Sequence, residues 1–284
     1  MYFPISGATI DPFYLVGLGF IIGILGGFFG VGGSFLAGPA LFVAGMPMNF
    51  VVGTDLLHIV GKSIVAARKH GILGNIDMKL AAVMVVATIG GSEVGVQGIE
   101  ALKRIAKVDL VVGIATICVL VFISAFVFLE SWQALKLKGS TKPVSRQSAQ
   151  EKDKRAFKFI AHWTHSLNWE PKMELPHSGI KSISIWAILI VSFVGGIFSG
   201  FLGGGAGYIR MPCMVYLLGI PTHIAIGTDL FEIVVSASYG SFRHAINGNV
   251  DVMIALIMQT GAAVGAQIGA GLIIYGLATG KHIH

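Results

Sequence analysis

Long apolar stretches interrupted by glycine and proline set the pattern of this chain. The runs at 13–31, 107–129 and 183–202 carry almost no charge, and each is long enough, or nearly so, for a helix crossing a hydrocarbon core that needs about 20 residues. Between them the apolar pattern carries single polar residues and closes on short polar loops. A search for internal repeats organises this pattern. GMPMNFVVGTDLL (45–57) matches GIPTHIAIGTDLF (219–231), and KHGILGNID (69–77) matches RHAINGNVD (243–251), both at an offset of 174 residues. Upstream, GVGGSFLAGP (30–39) aligns with GGGAGYIRMP (203–212) at 173. Downstream, GSEVGVQ (91–97) matches GAAVGAQ (261–267) at 170, a shift of about one helical turn.

Each unit therefore reads as an apolar helix, a glycine-rich break, a short apolar segment reaching a proline, a second break, a long helix carrying GTDL, a polar loop and a further helix. The expected architecture is an all-α polytopic membrane protein, with two homologous helical repeats whose glycine- and proline-broken helices surround a central site. Residues 1–130 are expected to hold the first repeat plus one extra span, 131–181 a linker, and 182–284 the second repeat, whose counterpart of that extra span is either lost or falls past the end of this sequence.

Composition fits a chain buried in lipid: 54% hydrophobic, 12% charged, with 39 glycines. The opening MYFPISGATIDPF has no Lys or Arg, so a cleaved leader is not expected and the first span should be retained. Cys118 and Cys213 are the only cysteines, too few for a disulfide framework or a four-cysteine metal site. The charge is localised. Ten of the 20 basic residues lie in 131–181 against four acids, which places the linker on the cytoplasmic side and explains the basic excess without a nucleic-acid partner. Lys103, Arg104 and Lys107 pull the opposite way across the span 107–130, so topology is not fixed by this rule alone. Within the linker, RAFKFIAHWTHSLNW (155–169) reads as a solvated loop or as an interfacial helix, and the pair His162 and His165 is weak evidence for a metal.

Candidate chemistry gathers at the breaks. Paired interruptions in duplicated units mark the substrate site of many secondary transporters. Free backbone N–H groups and a helix dipole at such a break suit an anion, although glycines there can equally serve close helix packing. The candidates are Gly30, Gly32, Gly33, Ser34 and Pro39 in the first unit and Gly203, Gly204, Gly205 and Pro212 in the second. Arg210, inside the second break, offers a permanent planar cation for an oxyanion. An interfacial anchor is the alternative for it. Asp55 and Asp229, with Thr54 and Thr228, read as helix caps, as proton or cation sites, or as substrate contacts. His58 and Lys62 follow Asp55 on one helix face, while Glu232 and Ser236 take their places after Asp229. Asp55, His58, Asp229 and Glu232 are therefore the coupling candidates. Lys62 either attracts an anion or snorkels towards Arg68 and Lys69. Asn49 and His223, at matching positions, can contact substrate or cap helices.

No enzyme constellation is present: GxSxG is absent, and GVGGS lacks the Lys-Ser/Thr of a phosphate-binding loop. No cofactor is expected. With both broken segments and both GTDL helices in place, residues 13–130 and 183–280 resemble the TauE/SafE sulfite exporters, also called toluene-sulfonate uptake permeases. The resemblance implies a multi-pass transporter of sulfite, organosulfonates or related sulfur anions in a bacterial plasma (inner) membrane, with the broken segments and GTD motifs lining the pathway. Its expected partners are a small anionic substrate and the lipid bilayer, with homo-oligomer formation left open. The mechanism expected is alternating access. The competing readings are a membrane scaffold or assembly subunit and a passive anion channel.

Overall fold

The computed structural model describes residues 1–29, 36–138 and 170–279. Its helices are α1 (Pro12–Phe29), α2 (Ala37–Val43), α3 (Met48–Ile72), α4 (Met78–Arg104), α5 (Val108–Lys138), α6 (Ile185–Leu202), α7 (Gly207–Pro212), α8 (Thr222–Ile246) and α9 (Val252–Thr279). Five of the described helices are long and apolar enough to cross a membrane. The chain is an all-α polytopic membrane protein.

The long helices pair across the two halves of the sequence. α1 lies along α9, α4 lies along α6, and α3 and α8 pack together at the centre. Backbones touch in the two outer pairs because glycines face each other. A Cβ at Gly23 would stand 2.4 Å from the Ala262 carbonyl oxygen, and one at Gly265 would stand 2.2 Å from that of Phe20. In the other pair, a Cβ at Gly91 would lie 2.1 Å from the Phe193 oxygen and one at Gly196 would lie 2.3 Å from that of Thr88. Small residues that admit such approach supply the packing that lipid cannot drive by hydrophobicity.

These contacts correct the register of the last repeat block. Gly91 and Gly95 meet the Phe193 and Ile197 carbonyls, and Gly265 and Gly269 meet those of Phe20 and Ile24. Gly91 thus corresponds to Gly265 rather than Gly261, and the offset is 174 here as in the preceding blocks. A helix with glycine every four residues resembles itself after a slip of one turn, and this self-similarity produced the offset of 170.

Regular structure enters the expected linker 131–181 from both ends. α5 continues to Lys138, and at the other end β1 (Lys172–Leu175) and β2 (Ile180–Ser184) form an antiparallel hairpin leading into α6. The 155–169 segment with His162 and His165 lies outside the described residues. The hairpin has an unforeseen relative at the N-terminus: MYFPISG (1–7) and MELPHSG (173–179) share M-x-x-P-x-S-G, with Gly7 and Gly179 at φ of 71° and 69°. Ser6 donates through Oγ to Asp251 Oδ2 at 2.8 Å, and Ser178 donates to Asp77 Oδ2 at 2.7 Å. Each serine therefore ties its own turn to the aspartate that opens a helix of the other half.

Candidate functional site

The two GTD motifs sit inside helices, not at their starts. Pro47 and Pro221 occupy the N-cap positions of α3 and α8, which puts Asp55 and Asp229 about two turns in and sets aside the capping reading for both. The capping role belongs to Asp77 and Asp251, whose Oδ1 atoms accept from Leu80 N at 3.2 Å and Ile254 N at 3.3 Å.

The glycine and threonine of each motif hold the polar loop of the opposite half. A Cβ at Gly53 would lie 2.2 Å from the Asn249 carbonyl oxygen, and one at Gly227 would lie 2.2 Å from that of Asn75. Beside them Thr54 Oγ1 accepts from Asp251 N at 2.9 Å and Thr228 Oγ1 accepts from Asp77 N at 3.0 Å. These are equivalent clamps, and they account for G and T in both motifs without a ligand. The aspartates remain to be explained.

Asp229 belongs to a cluster organised by Arg210. After α6 ends at Leu202, Gly203, Gly204 and Gly205 all take positive φ, at 78°, 78° and 68°, a path that residues with a Cβ rarely follow. The short helix α7 then carries Tyr208 and Arg210 into the protein, and a π-helical turn (Cys213–Leu217) follows Pro212. The break is wedged between the central helices, since a Cβ at Gly203 would meet Val52 O of α3 at 3.1 Å and one at Gly205 would meet Ile233 Cγ2 of α8 at 3.3 Å. Arg210 is fully buried. Its Nε donates to Asp229 Oδ1 at 2.5 Å, Nη1 to Thr88 Oγ1 at 3.2 Å and Nη2 to Gly205 O at 3.3 Å, and Nη2 also pairs with Glu232. Arg210 is therefore no interfacial anchor. With two carboxylates on one guanidinium the cluster has a formal excess of one negative charge unless a proton is bound.

The corresponding face of α3 carries Asp55, His58 and Lys62, all buried. His58 Nδ1 lies 3.5 Å from Asp55 Oδ1. Lys62 is 2% exposed and its Nζ has no hydrogen-bond partner among the described residues, so it does not snorkel. The backbone here is braced from α9. With its amide oriented to satisfy both ends, Gln259 donates to the His58 carbonyl at 2.7 Å and accepts from Lys62 N at 3.0 Å. Gly61 leaves room for that amide, because a Cβ there would stand 2.4 Å from it.

The remaining candidates separate. Pro39 lines a crevice of about 20 Å³, room for about one water, together with Gly203, Gly204 and Tyr208. Gly30, Gly32, Gly33 and Ser34 lie outside the described residues. Asn49 donates to Asn249 Oδ1 at 3.0 Å, at the clamped loop rather than in the buried clusters. His223 is exposed near the start of α8. Sequence reasoning missed Thr88, Tyr208 and Gln259. Tyr208 lies two residues before Arg210 and was findable from that position, whereas nothing near Thr88 or Gln259 in the sequence announces a partner so distant.

The family of sulfite exporters TauE/SafE matches residues 15–276. Probable membrane transporter protein YunE of Bacillus subtilis is 27% identical, over 91% of this chain and 87% of its own length. YjnA of the same organism, also described as a probable membrane transporter protein, is 22% identical over 90% and 87% of the two chains. A shorter stretch, 23% of this chain, is 42% identical to 27% of the probable membrane transporter protein MJ0441 of Methanocaldococcus jannaschii. No solved structure matches the chain. A match over nearly the full length, on a helical membrane fold with a glycine-broken helix beside buried charges, places the chain in the TauE/SafE sulfite exporter family.

Proposed function

We propose that this membrane transporter is a secondary transporter, an exporter of small sulfur-containing anions such as sulfite or organosulfonates, working by alternating access in a bacterial plasma membrane. The observation that carries the reading is the position of the charges. Asp55, His58 and Lys62 on α3 and Arg210, Asp229 and Glu232 around α8 are buried at the centre of the bundle, beside a glycine break whose residues pack on both helices. Ionisable groups are costly inside a membrane protein and are kept there for function, and a broken helix at such a place is the usual substrate site of a transporter.

Each element has a role in this reading. The break and the cations bind the anion, and the carboxylates and His58 carry coupling protons. Arg210, held by Asp229 and Glu232, is exposed to substrate only when a carboxylate lets go, which protonation would favour. Close backbone packing makes α1 with α9, and α4 with α6, units that can move as bodies about α3 and α8.

The test is a substrate screen in proteoliposomes at several pH values, using labelled sulfite, sulfate and a small organosulfonate. Saturable flux of sulfite or the sulfonate above that of empty liposomes is expected. A protein that moves none of them at any pH is not this transporter.

A further inference from the structure

Lys62 is the cation that the Arg210 cluster leaves over. Asp55, His58 and Lys62 share one face of α3, and none is more than 2% exposed. Among the described residues neither carboxylate oxygen of Asp55, neither ring nitrogen of His58 nor the Lys62 ammonium makes a hydrogen bond to protein. A buried ammonium without an acceptor is strongly unfavourable, and Lys62 Nζ at the bundle centre is matched to something that supplies acceptors. Arg210 has no such need, since its donors are taken by Asp229, Glu232, Thr88 and the Gly205 carbonyl.

The surroundings define what fits. Besides Asp55 and Lys62, the only other titratable group brought to this face among the described residues is Tyr208 from α7, which lies within electrostatic reach of Asp55. α9 contributes the neutral amide of Gln259. α8 presents Ile233 and Ala237 against Leu56 and Ile59, and its two acids are engaged by Arg210. Helix side chains lean towards the N-terminus, so Lys62 reaches back one turn towards His58.

Charge balance then selects the ligand. Asp55 as carboxylate, Lys62 as ammonium and neutral His58 sum to zero. An anion entering alone would leave a net negative charge in a low-dielectric interior, whereas an anion with one proton leaves none. His58 with both nitrogens protonated donates Nδ1–H to Asp55, already 3.5 Å away, and turns Nε2–H to the ligand. We propose that Asp55, His58 and Lys62 form the loading site of the transporter, which takes one monovalent oxyanion, bisulfite or a sulfonate group, between His58 Nε2 and Lys62 Nζ together with one proton on His58. This rests on the transport reading above. It makes Lys62 the recognising charge, Asp55 a positioning residue and transport an electroneutral anion–proton symport.

The experiment uses the full chain in liposomes with a trapped pH-sensitive dye and labelled sulfite, with a potassium diffusion potential set by valinomycin. Wild type should admit one proton per anion, at a rate indifferent to the potential. Lys62→Met should lower uptake on the order of 100-fold, the scale for loss of a charge-assisted contact. Lys62→Arg should restore some of it, and His58→Gln, which cannot take up the proton that balances the anion, should lose anion uptake and proton entry together. Thermal unfolding in detergent of Lys62→Met combined with Asp55→Asn, which removes both buried charges of this face together, should be at or above wild type. Wild-type flux that Lys62→Met leaves intact, or flux that carries net charge, overturns the proposal. So does a Lys62→Met, Asp55→Asn protein whose unfolding temperature falls along with its uptake, since that marks a structural pair. Absence of flux in the wild type removes the transport reading itself, a distinct result.

Discussion

Replacing Gly91 by alanine should force α4 and α6 apart, while the same change at its neighbour Gly90 should not. A Cβ at position 91 would lie 2.1 Å from Phe193 O, 2.9 Å from Ile197 N and 3.0 Å from Gly196 Cα. These partners are all backbone, so no rotamer change relieves them. Ordinary non-bonded contact needs about 3.5 Å, and α4 must therefore move from α6 by roughly 1 Å or more. Overpacking of this kind costs about 3 kcal/mol at the upper end of the usual range, offset by about 1 kcal/mol of improved helix propensity. At Gly90 the Cβ would stand 3.7 Å from the Phe193 ring, an ordinary contact, leaving only the propensity gain of up to about 1 kcal/mol. The two variants should differ by about 3 kcal/mol, or roughly 6–12 °C in Tm on the scaling for domains of about this size. Thermal unfolding in detergent followed by tryptophan fluorescence reads this directly. Equal Tm values for the two variants would refute the claim that the α4 and α6 backbones are in contact.

The other predictions concern the clamps and the Arg210 cluster. Thr54→Val and Thr228→Val each leave a buried N–H, of Asp251 or Asp77, without its acceptor, and each should lower stability by about 1–3 kcal/mol in chemical unfolding. Two very different losses would break the equivalence of the clamps. Arg210→Met strands Asp229 and Glu232 and should destabilise by about 3–5 kcal/mol. Adding Asp229→Asn and Glu232→Gln should recover most of that loss in the same unfolding assay, yet leave transport abolished. Failure of the triple variant to regain stability would show that Arg210 holds the fold by something other than these charges.

Much of this architecture was legible in the sequence because lipid simplifies the code. Apolar length gave the spans, and two GTDL motifs in equivalent places marked the central helices. The position of Arg210 inside a broken segment pointed to the interior, where the structure puts it. What was hidden depended on distance or on degeneracy. Asp55 and Asp229 look like helix caps beside Pro-containing turns, but the prolines take the cap and the helices begin earlier. Thr54 and Thr228 look like site residues, yet their hydroxyls accept from N–H groups some 150 to 200 residues away. The glycine register was ambiguous because a period of four hides a slip of one turn. Lys62 looked able to reach an interface beside Arg68 and Lys69, and only the packing of α8, α9 and α7 around it shows that it is enclosed. Gln259 shows no signal at all, since one glutamine in an apolar helix does not say which backbone it braces.

The most direct test of the central claim is counterflow. Liposomes carrying the protein and loaded with unlabelled sulfite are diluted into a trace of labelled sulfite, with no pH or voltage gradient imposed. A transporter that alternates access about one buried site should accumulate label transiently above its equilibrium level, with a rate that saturates in sulfite. Label that only equilibrates, at a rate linear in concentration, or uptake no greater than that of empty liposomes, would contradict the account.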